Sequence, residues 1–474
     1  MLLFKKLSTK LIKTGRNITK PISSFYVLLI CISFNSEAAV FPVKSFDNFN
    51  KAQQRAVKGD SIVWQSGTYS DVNLDILTSG LIFCSEEPGS VIFTGQSGMN
   101  LFADSVLLTG FQFMDGNTKG DILKVSGSYN VMENLNFSNY ESHYYLNILP
   151  GSQYNQVVRC NFEKKPETST TSVLEIQVHP TVPGYHLVQY CSFKNHTAPP
   201  GAGGDYGIEA LRIGYSFQSK FISRTIVEYC YFTKCKGDGE IISSKARENI
   251  FRYNTFENND ESHFTLRHGS DNAVYGNFFL EGAGIRIKEG QNQMVYNNYF
   301  NTGEWFAINL MNHRADPLEN IIVAHNTFVN SGPILLGGRG EYQPEKVTMV
   351  NNLFLDPAAS IISDPTGDEF FSGNALNESA KNLPEGFDRI ELKVEKNSFG
   401  LHQPEEAGEL QKFYSSDYPE LLDIPTLDDD PFIEMDILRQ TRSSDKAQFV
   451  GCFVPGESAE LKPYATAENT GPDY

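Results

Sequence analysis

Four short phrases place a cation inside otherwise apolar, strand-like sequence: Leu211-Arg212-Ile213-Gly214, Ile241-Ile242-Ser243-Ser244-Lys245, Phe264-Thr265-Leu266-Arg267-His268-Gly269 and Gly284-Ile285-Arg286-Ile287. Lys245 and Arg267 lie 22 residues apart, Arg267 and Arg286 19 apart. If each interval is one turn of a stacked coil, the three cations project from one face in a column, with Arg212 one coil earlier across a longer insertion. Like charges at sheet spacing repel, so the column asks for an anionic partner. The competing structural reading is a solvated face paired with Glu248, Asp260, Glu261 or Glu281. A polymer of uronic acids suits the column better, because a solenoid face is long and each sugar offers a carboxylate that an arginine fork can hold.

The elements that must carry these cations announce themselves as repeats. A small polar residue stands two positions before a Phe in Cys160-Asn161-Phe162, Cys191-Ser192-Phe193, Cys230-Tyr231-Phe232, Asn254-Thr255-Phe256, Asn277-Phe278-Phe279, Asn298-Tyr299-Phe300, Asn326-Thr327-Phe328 and Asn352-Leu353-Phe354. The Phe positions advance by 31, 39, 24, 23, 21, 28 and 26 residues, a solenoid spacing with insertions. The runs between are short, rich in Val, Ile, Phe and Tyr, closed by Gly or Asn, and without helical periodicity. The expected fold is therefore all-β, a right-handed parallel β-helix with an N-terminal helical cap. Equivalent residues of stacked coils sit about 4.8 Å apart, so the Asn column is read as a buried hydrogen-bond ladder. Cys160, Cys191 and Cys230 continue that column as inert buried thiols. Cys235 falls beside the candidate site, and no cysteine spacing demands a disulfide.

Across its 474 residues the chain carries 39 Lys+Arg against 57 Asp+Glu. Six of those cations and one acid fall in residues 1–39, which read as a secretory signal: Lys5, Lys6, Lys10, Lys13, Arg16 and Lys20 precede an apolar run at residues 25–34 that is too short to span a bilayer. The remainder keeps 33 cations against 56 acids. Such a balance excludes a basic nucleic-acid binder, and it means that an acidic substrate must meet a locally cationic site. The expected layout is a signal peptide over 1–39, a β-helix domain over 40–455 and a C-terminal tail over 456–474, in a secreted or periplasmic protein with no transmembrane segment after cleavage. Residues 40–43 and 46–57 read as a lead strand and a capping amphipathic helix. Residues 404–430 read as acidic and irregular, and residues 436–453 as a final strand.

At the cationic phrases the sequence resembles polysaccharide lyase family six, the β-helix lyases that include alginate lyases and chondroitinase B. The likeness runs from Glu209-Ala210-Leu211-Arg212-Ile213-Gly214 through Asp238-Gly239-Glu240-Ile241-Ile242-Ser243-Ser244-Lys245 and Leu266-Arg267-His268-Gly269 to Tyr296-Asn297-Asn298-Tyr299-Phe300. The resemblance implies that Lys245 is the Brønsted base, Arg267 its partner at the leaving oxygen, and Arg212 and His268 substrate binders. Arg286 has no assured family role and is read as a further substrate contact. In members that use calcium, the resemblance places the ion at Asp238, Glu240 and an Asn, but Tyr206 stands where that Asn is expected. A protonated phenol is a poor calcium ligand. Asp238 and Glu240 could hold an ion only with help from Asp205, Glu209, substrate and water, so the expectation is weak or absent calcium dependence.

The chemistry can be argued without the resemblance. Removing the C5 proton of a 4-linked uronate requires cations that neutralise the adjacent carboxylate as charge develops. It also requires a lysine held partly neutral by neighbouring charge, from Arg267, Arg247 or an ion. Arginine is too weak an acid to protonate O4, which leaves Arg267 to stabilise the departing oxygen while water supplies the proton. The leading reading is an exported lyase on an anionic polysaccharide, alginate first and dermatan or chondroitin sulfate second. A glycoside hydrolase would need paired carboxylates, for which Asp238 and Glu240 are the close pair. A non-catalytic polysaccharide-binding β-helix would need the column alone.

Overall fold

The computed structural model describes residues 38–202, 204–312, 317–337, 342–357, 360–377, 380–381, 383–406, 410–416, 435–442, 449–455 and 460–474. The expected signal segment lies outside these residues save for its last two positions, as does most of the acidic stretch 404–430. From Val40 onward the chain winds into three parallel sheets of 14, 14 and 12 strands, an all-β solenoid of about fourteen turns. Each turn gives one strand to each sheet. Ile250–Arg252, Thr255–Glu257 and His263–Arg267 form one turn, and Ala273–Tyr275, Phe278–Leu280 and Ile285–Lys288 stack in register upon it.

Short strands need sharp corners, and the sequence supplies them. Between the first and second strand of a turn one residue takes a left-handed conformation, such as Tyr253 at φ 58°, Gly276 at φ 69° or Asn297 at φ 52°. The next residue is the ladder amide: the N–H groups of Asn254, Asn277, Asn298 and Asn326 each donate to the side-chain oxygen of the following rung at 2.9–3.0 Å. Cys230 extends the column, its N–H donating to Asn254 Oδ1 at 2.9 Å. Two residues on, the phenyl rings of Phe162 to Phe354 stack at 4.7–4.9 Å. The six cysteines among the described residues are free thiols.

The helix Phe46–Arg55 follows the first strand, Val40–Val43; Ser45 caps it, and Phe49 is buried against Trp64 and Phe83. No helix among the described residues is long and apolar enough to cross a membrane. Of the final strand expected at 436–453, residues 443–448 lie outside the described residues, and the described residues 436–442 and 449–453 form no strand. Met435 and Thr441 make an isolated antiparallel bridge, and Phe449 to Phe453 lie flat over the outer face of the second sheet. Their backbone groups are met singly by scattered partners: Arg442 donates to the carbonyls of Phe449 and Gly451, Cys452 N–H donates to Thr327 Oγ1, Gly451 N–H donates to the Asn351 carbonyl, and Ile437 N–H donates to the Cys452 carbonyl. Beyond them Tyr464 packs on Tyr229 and Tyr253, and Asp473 pairs with Arg159 at 2.7 Å.

Candidate active site

The site lies on the outer face of the third sheet. Strand pairing sets Glu175, Arg212, Ser243, Thr265, Arg286 and Asn309 side by side in one row. Two residues further along the same strands, Arg267 pairs with Lys288, and Lys245, one residue past the Ser244–Leu266 pair, continues that second row. Alternate residues of a strand share a face, so both rows point outward. The expected single column is thus corrected to two. Arg267 stacks on Lys288 rather than on Arg286, because Arg286 lies two positions nearer its strand's start than a uniform column requires.

Buried acids interleave with these cations and remove the repulsion that the sequence reading feared. Arg212 Nε donates to Glu175 Oε2 at 2.7 Å, and its Nη1 lies 3.7 Å from Glu209 Oε1. Lys245 Nζ lies 3.9 Å from the same Glu209 oxygen. Glu240 Oε1 accepts from Arg286 at 2.7 Å and Arg267 at 3.0 Å, while Oε2 accepts from Ser243. Glu175, Glu209 and Glu240 are almost wholly buried. The acids proposed from spacing alone do other work: Glu248 pairs with Arg224, and Asp260 with Lys236.

Burial pushes the Glu175 carboxyl up to about 7 against the pull of Arg212. Burial also raises Asp238 to about 7, with the charge of Glu209 adding to it. At Glu240 burial again pushes upward, but Arg267 and Arg286 outweigh it and hold the carboxyl below its usual range. Lys245 is held below the ordinary amine range, first by burial and then by Arg212 and Arg267, with Glu209 and Glu240 opposing. Arg247 is not among the causes, since its guanidinium is bound to Asp271.

His268 sits at a left-handed corner (φ 66°) directly after the strand, with Nδ1 2.9 Å from Glu289 Oε2. Among the described residues its Nε2 has no hydrogen-bond partner, and neither do Arg267 Nε, Arg286 Nε, Glu175 Oε1 or Glu209 Oε2. Buried polar atoms are normally satisfied, so five orphans around one lysine mark a place shaped for a polar ligand. The corner beneath is stiff: Asn249, Asn272 and Gln293 form a second amide ladder that ties down the carbonyls of Ala246 and Gly269.

The residues to which the resemblance assigns calcium have other partners in this structure. Asp238 gives one oxygen to Gly207 N–H at 2.6 Å and the other to Glu240 N–H at 3.0 Å. Glu240 is clamped between two guanidinium groups, and Tyr206 donates its hydroxyl to the Glu167 carbonyl. A dication needs six to eight oxygens free to turn toward it. These are already engaged.

Sequence reasoning missed Glu175, Lys288 and Tyr144, whose hydroxyl receives Arg212 Nη2 at 3.1 Å. Two of them carried a usable signal. Leu174-Glu175-Ile176 repeats the apolar-charged-apolar pattern of Leu211-Arg212-Ile213, and Ile285-Arg286-Ile287-Lys288 alternates one residue further than was read.

The sequence model of the Chondroitinase B family matches residues 43–353, which hold every residue named above as part of the cationic site. The chain belongs to polysaccharide lyase family six. Among solved structures this family-six chain is similar to the PL6 alginate lyase AlyGC, at 24% identity and TM-score 0.70 over 84% of this chain and 60% of that one. It thus spans about three fifths of that protein's length. It is also similar to a mannuronic acid-specific family 6 lyase from human gut microbiota, at 22% identity and TM-score 0.65, covering 75% and 92% of the two chains. A third likeness is to a PL6 alginate lyase in complex with a trisaccharide, at 18% identity and TM-score 0.64, covering 78% and 92%. No curated protein matches the chain.

Proposed function

We propose that this family-six chain is an exported lyase that cuts 4-linked uronate polymers by β-elimination, with alginate the first candidate substrate. The observation that carries the reading is Lys245: a buried amine held below its ordinary range, flanked by Arg212 and Arg267, with orphaned donors on either side. In this reading Arg212, Arg286 and His268 face the substrate carboxylate and neutralise it as the C5 proton leaves. Lys245 takes that proton, and Arg267 stabilises the departing O4 while water protonates it. The helix Phe46–Arg55 is read as the cap of a right-handed solenoid.

Alginate ranks above dermatan or chondroitin sulfate because the similar solved structures named above include proteins described as alginate lyases. Hydrolysis is the weaker reading. Glu175, Glu209 and Glu240 each have a cation against them, whereas paired acid and base carboxylates must stand free on either side of the bond. Incubation of the purified protein with alginate and, separately, with dermatan and chondroitin sulfate tests both points. Elimination creates an unsaturated uronate that absorbs in the ultraviolet; new reducing ends without that absorbance would sink the lyase reading.

Two predictions follow from the geometry. Arg267→Lys is expected to lose about 10²-fold or more in kcat, nearly as much as Arg267→Ala, because an ammonium cannot bond Glu240 and the leaving oxygen together as the guanidinium fork does. Full activity in the lysine variant would reduce Arg267 to a general positive charge. Exhaustive chelation is expected to leave the rate unchanged, since Asp238 and Glu240 are engaged elsewhere; loss on chelation with recovery on added calcium would make them ligands after all.

A further inference from the structure

The catalytic cluster is flanked by two hollows at opposite ends of the strands that carry it, and they differ in charge. One, of about 280 Å³, lies on the turns that follow those strands and is lined by Ser219, Lys220, Arg247, His268, Asp271 and Gln291 among others. The other, of about 350 Å³, lies on the turns that precede them and is lined by Asp238, Asp260, Glu261 and Lys236, the last already paired with Asp260. In the first hollow Arg247 is spent on Asp271, but Lys220 is exposed and has no ion-pair partner among the described residues. His268 belongs to both the cluster and this hollow, so the two places are continuous. On the adjoining turn Phe217 is 75% exposed, its ring stacked on Tyr215 at 5.6 Å, and Tyr215 lies in turn beneath the Arg212 guanidinium. An exposed lysine in the hollow and a large exposed aromatic on the adjoining turn match the two things a uronate presents, a carboxylate and an apolar ring face.

We propose that this hollow is a subsite for one further uronate unit of the polymer, with Lys220 holding its carboxylate and Phe217 its ring face, and that the acidic hollow opposite contributes no such hold. Binding energy for the polymer is therefore concentrated on the Lys220 side of the scissile unit. The proposal rests on the lyase reading above for its substrate class. Neither residue belongs to the proton-transfer machinery, so their removal acts on KM and leaves kcat in place.

The test compares the parent with Lys220→Glu and Phe217→Ala on purified oligouronates from trisaccharide to hexasaccharide, following the ultraviolet product. Both positions are exposed, so folding is undisturbed. For the hexasaccharide Lys220→Glu is expected to raise KM about tenfold, the scale of one charge-assisted hydrogen bond, with the loss shrinking at high salt. The shortest substrate is expected to show little change. Equal KM changes at every length, or none at the longest, would overturn the subsite. If the parent cuts no uronate polymer, the lyase reading fails by itself, and calorimetric binding of the hexasaccharide then decides the subsite: about tenfold weaker binding by Lys220→Glu supports it, and equal or absent binding overturns it.

Discussion

Lys245→Ala is expected to lower kcat for elimination by about 10²–10⁴-fold, the usual contribution of a general base, while the protein keeps its parental circular dichroism and melting temperature. Lys245 stands on the outward face of the sheet and burial already disfavours its charged form, so its removal relieves a cost rather than opening a cavity in the solenoid core. The same environment fixes the direction of the pH dependence. Only the neutral amine can accept the C5 proton; its neutral fraction grows with pH, so kcat/KM falls on the acid side as Lys245 becomes protonated. Glu209, 3.9 Å away, favours the protonated form. Glu209→Gln removes that support, lowers the Lys245 pKa further and moves the acid limb of the rate profile to lower pH. A limb that stays in place, or moves up, would remove Lys245 from the role of base, as would full activity of Lys245→Ala on every polymer that the parent cuts.

Asn277→Leu has the largest expected effect on stability. Asn277 Oδ1 accepts from both the backbone and the side chain of Asn254, at 2.9 and 3.0 Å, and Nδ2 donates to the carbonyls of Phe251 and Tyr275 and to Asn298 Oδ1, each at 3.0 Å. Leucine has nearly the same volume but satisfies none of these groups. Each buried orphan costs about 1–3 kcal/mol, and at least two are left, so a loss of about 3 kcal/mol or more is expected. It appears as a lower melting temperature and as faster amide exchange confined to the neighbouring coils, since a solenoid's coils couple mainly to their neighbours. The corner lies between the first and second sheets and the site lies on the third, so kcat at moderate temperature is expected to stay at the parental value. An unchanged melting temperature would mean that this ladder carries no stability.

The Phe, Asn and Cys columns were legible because a stacked coil repeats the same environment every turn. Phe162 to Phe354 and Asn254 to Asn352 must therefore recur at coil spacing whatever the insertions between them do. Outside the repeat this logic stops. Residues 449–453 have the composition of a strand, yet they lie across a sheet face with Gly451 N–H on the Asn351 carbonyl and Cys452 N–H on Thr327, partners chosen by distant packing and invisible to local pattern.

The site divides in the same way. Sequence alone was enough to bring Arg212, Lys245, Arg267 and Arg286 to one sheet, with His268 just past Arg267, because a cation in an apolar strand must point away from the core, and successive turns must bring such cations to one sheet. Register decided the rest. A parallel sheet fixes neighbours by hydrogen bonding, and a shift of one or two residues at a corner changes which side chains stack, so only the fold could set Lys288 beside Arg267 and Glu175 beside Arg212. Charge balance was likewise a tertiary outcome: whether Glu240 grips a metal or two guanidinium groups depends on distances of about 3 Å across three strands, which residue spacing along the chain does not encode.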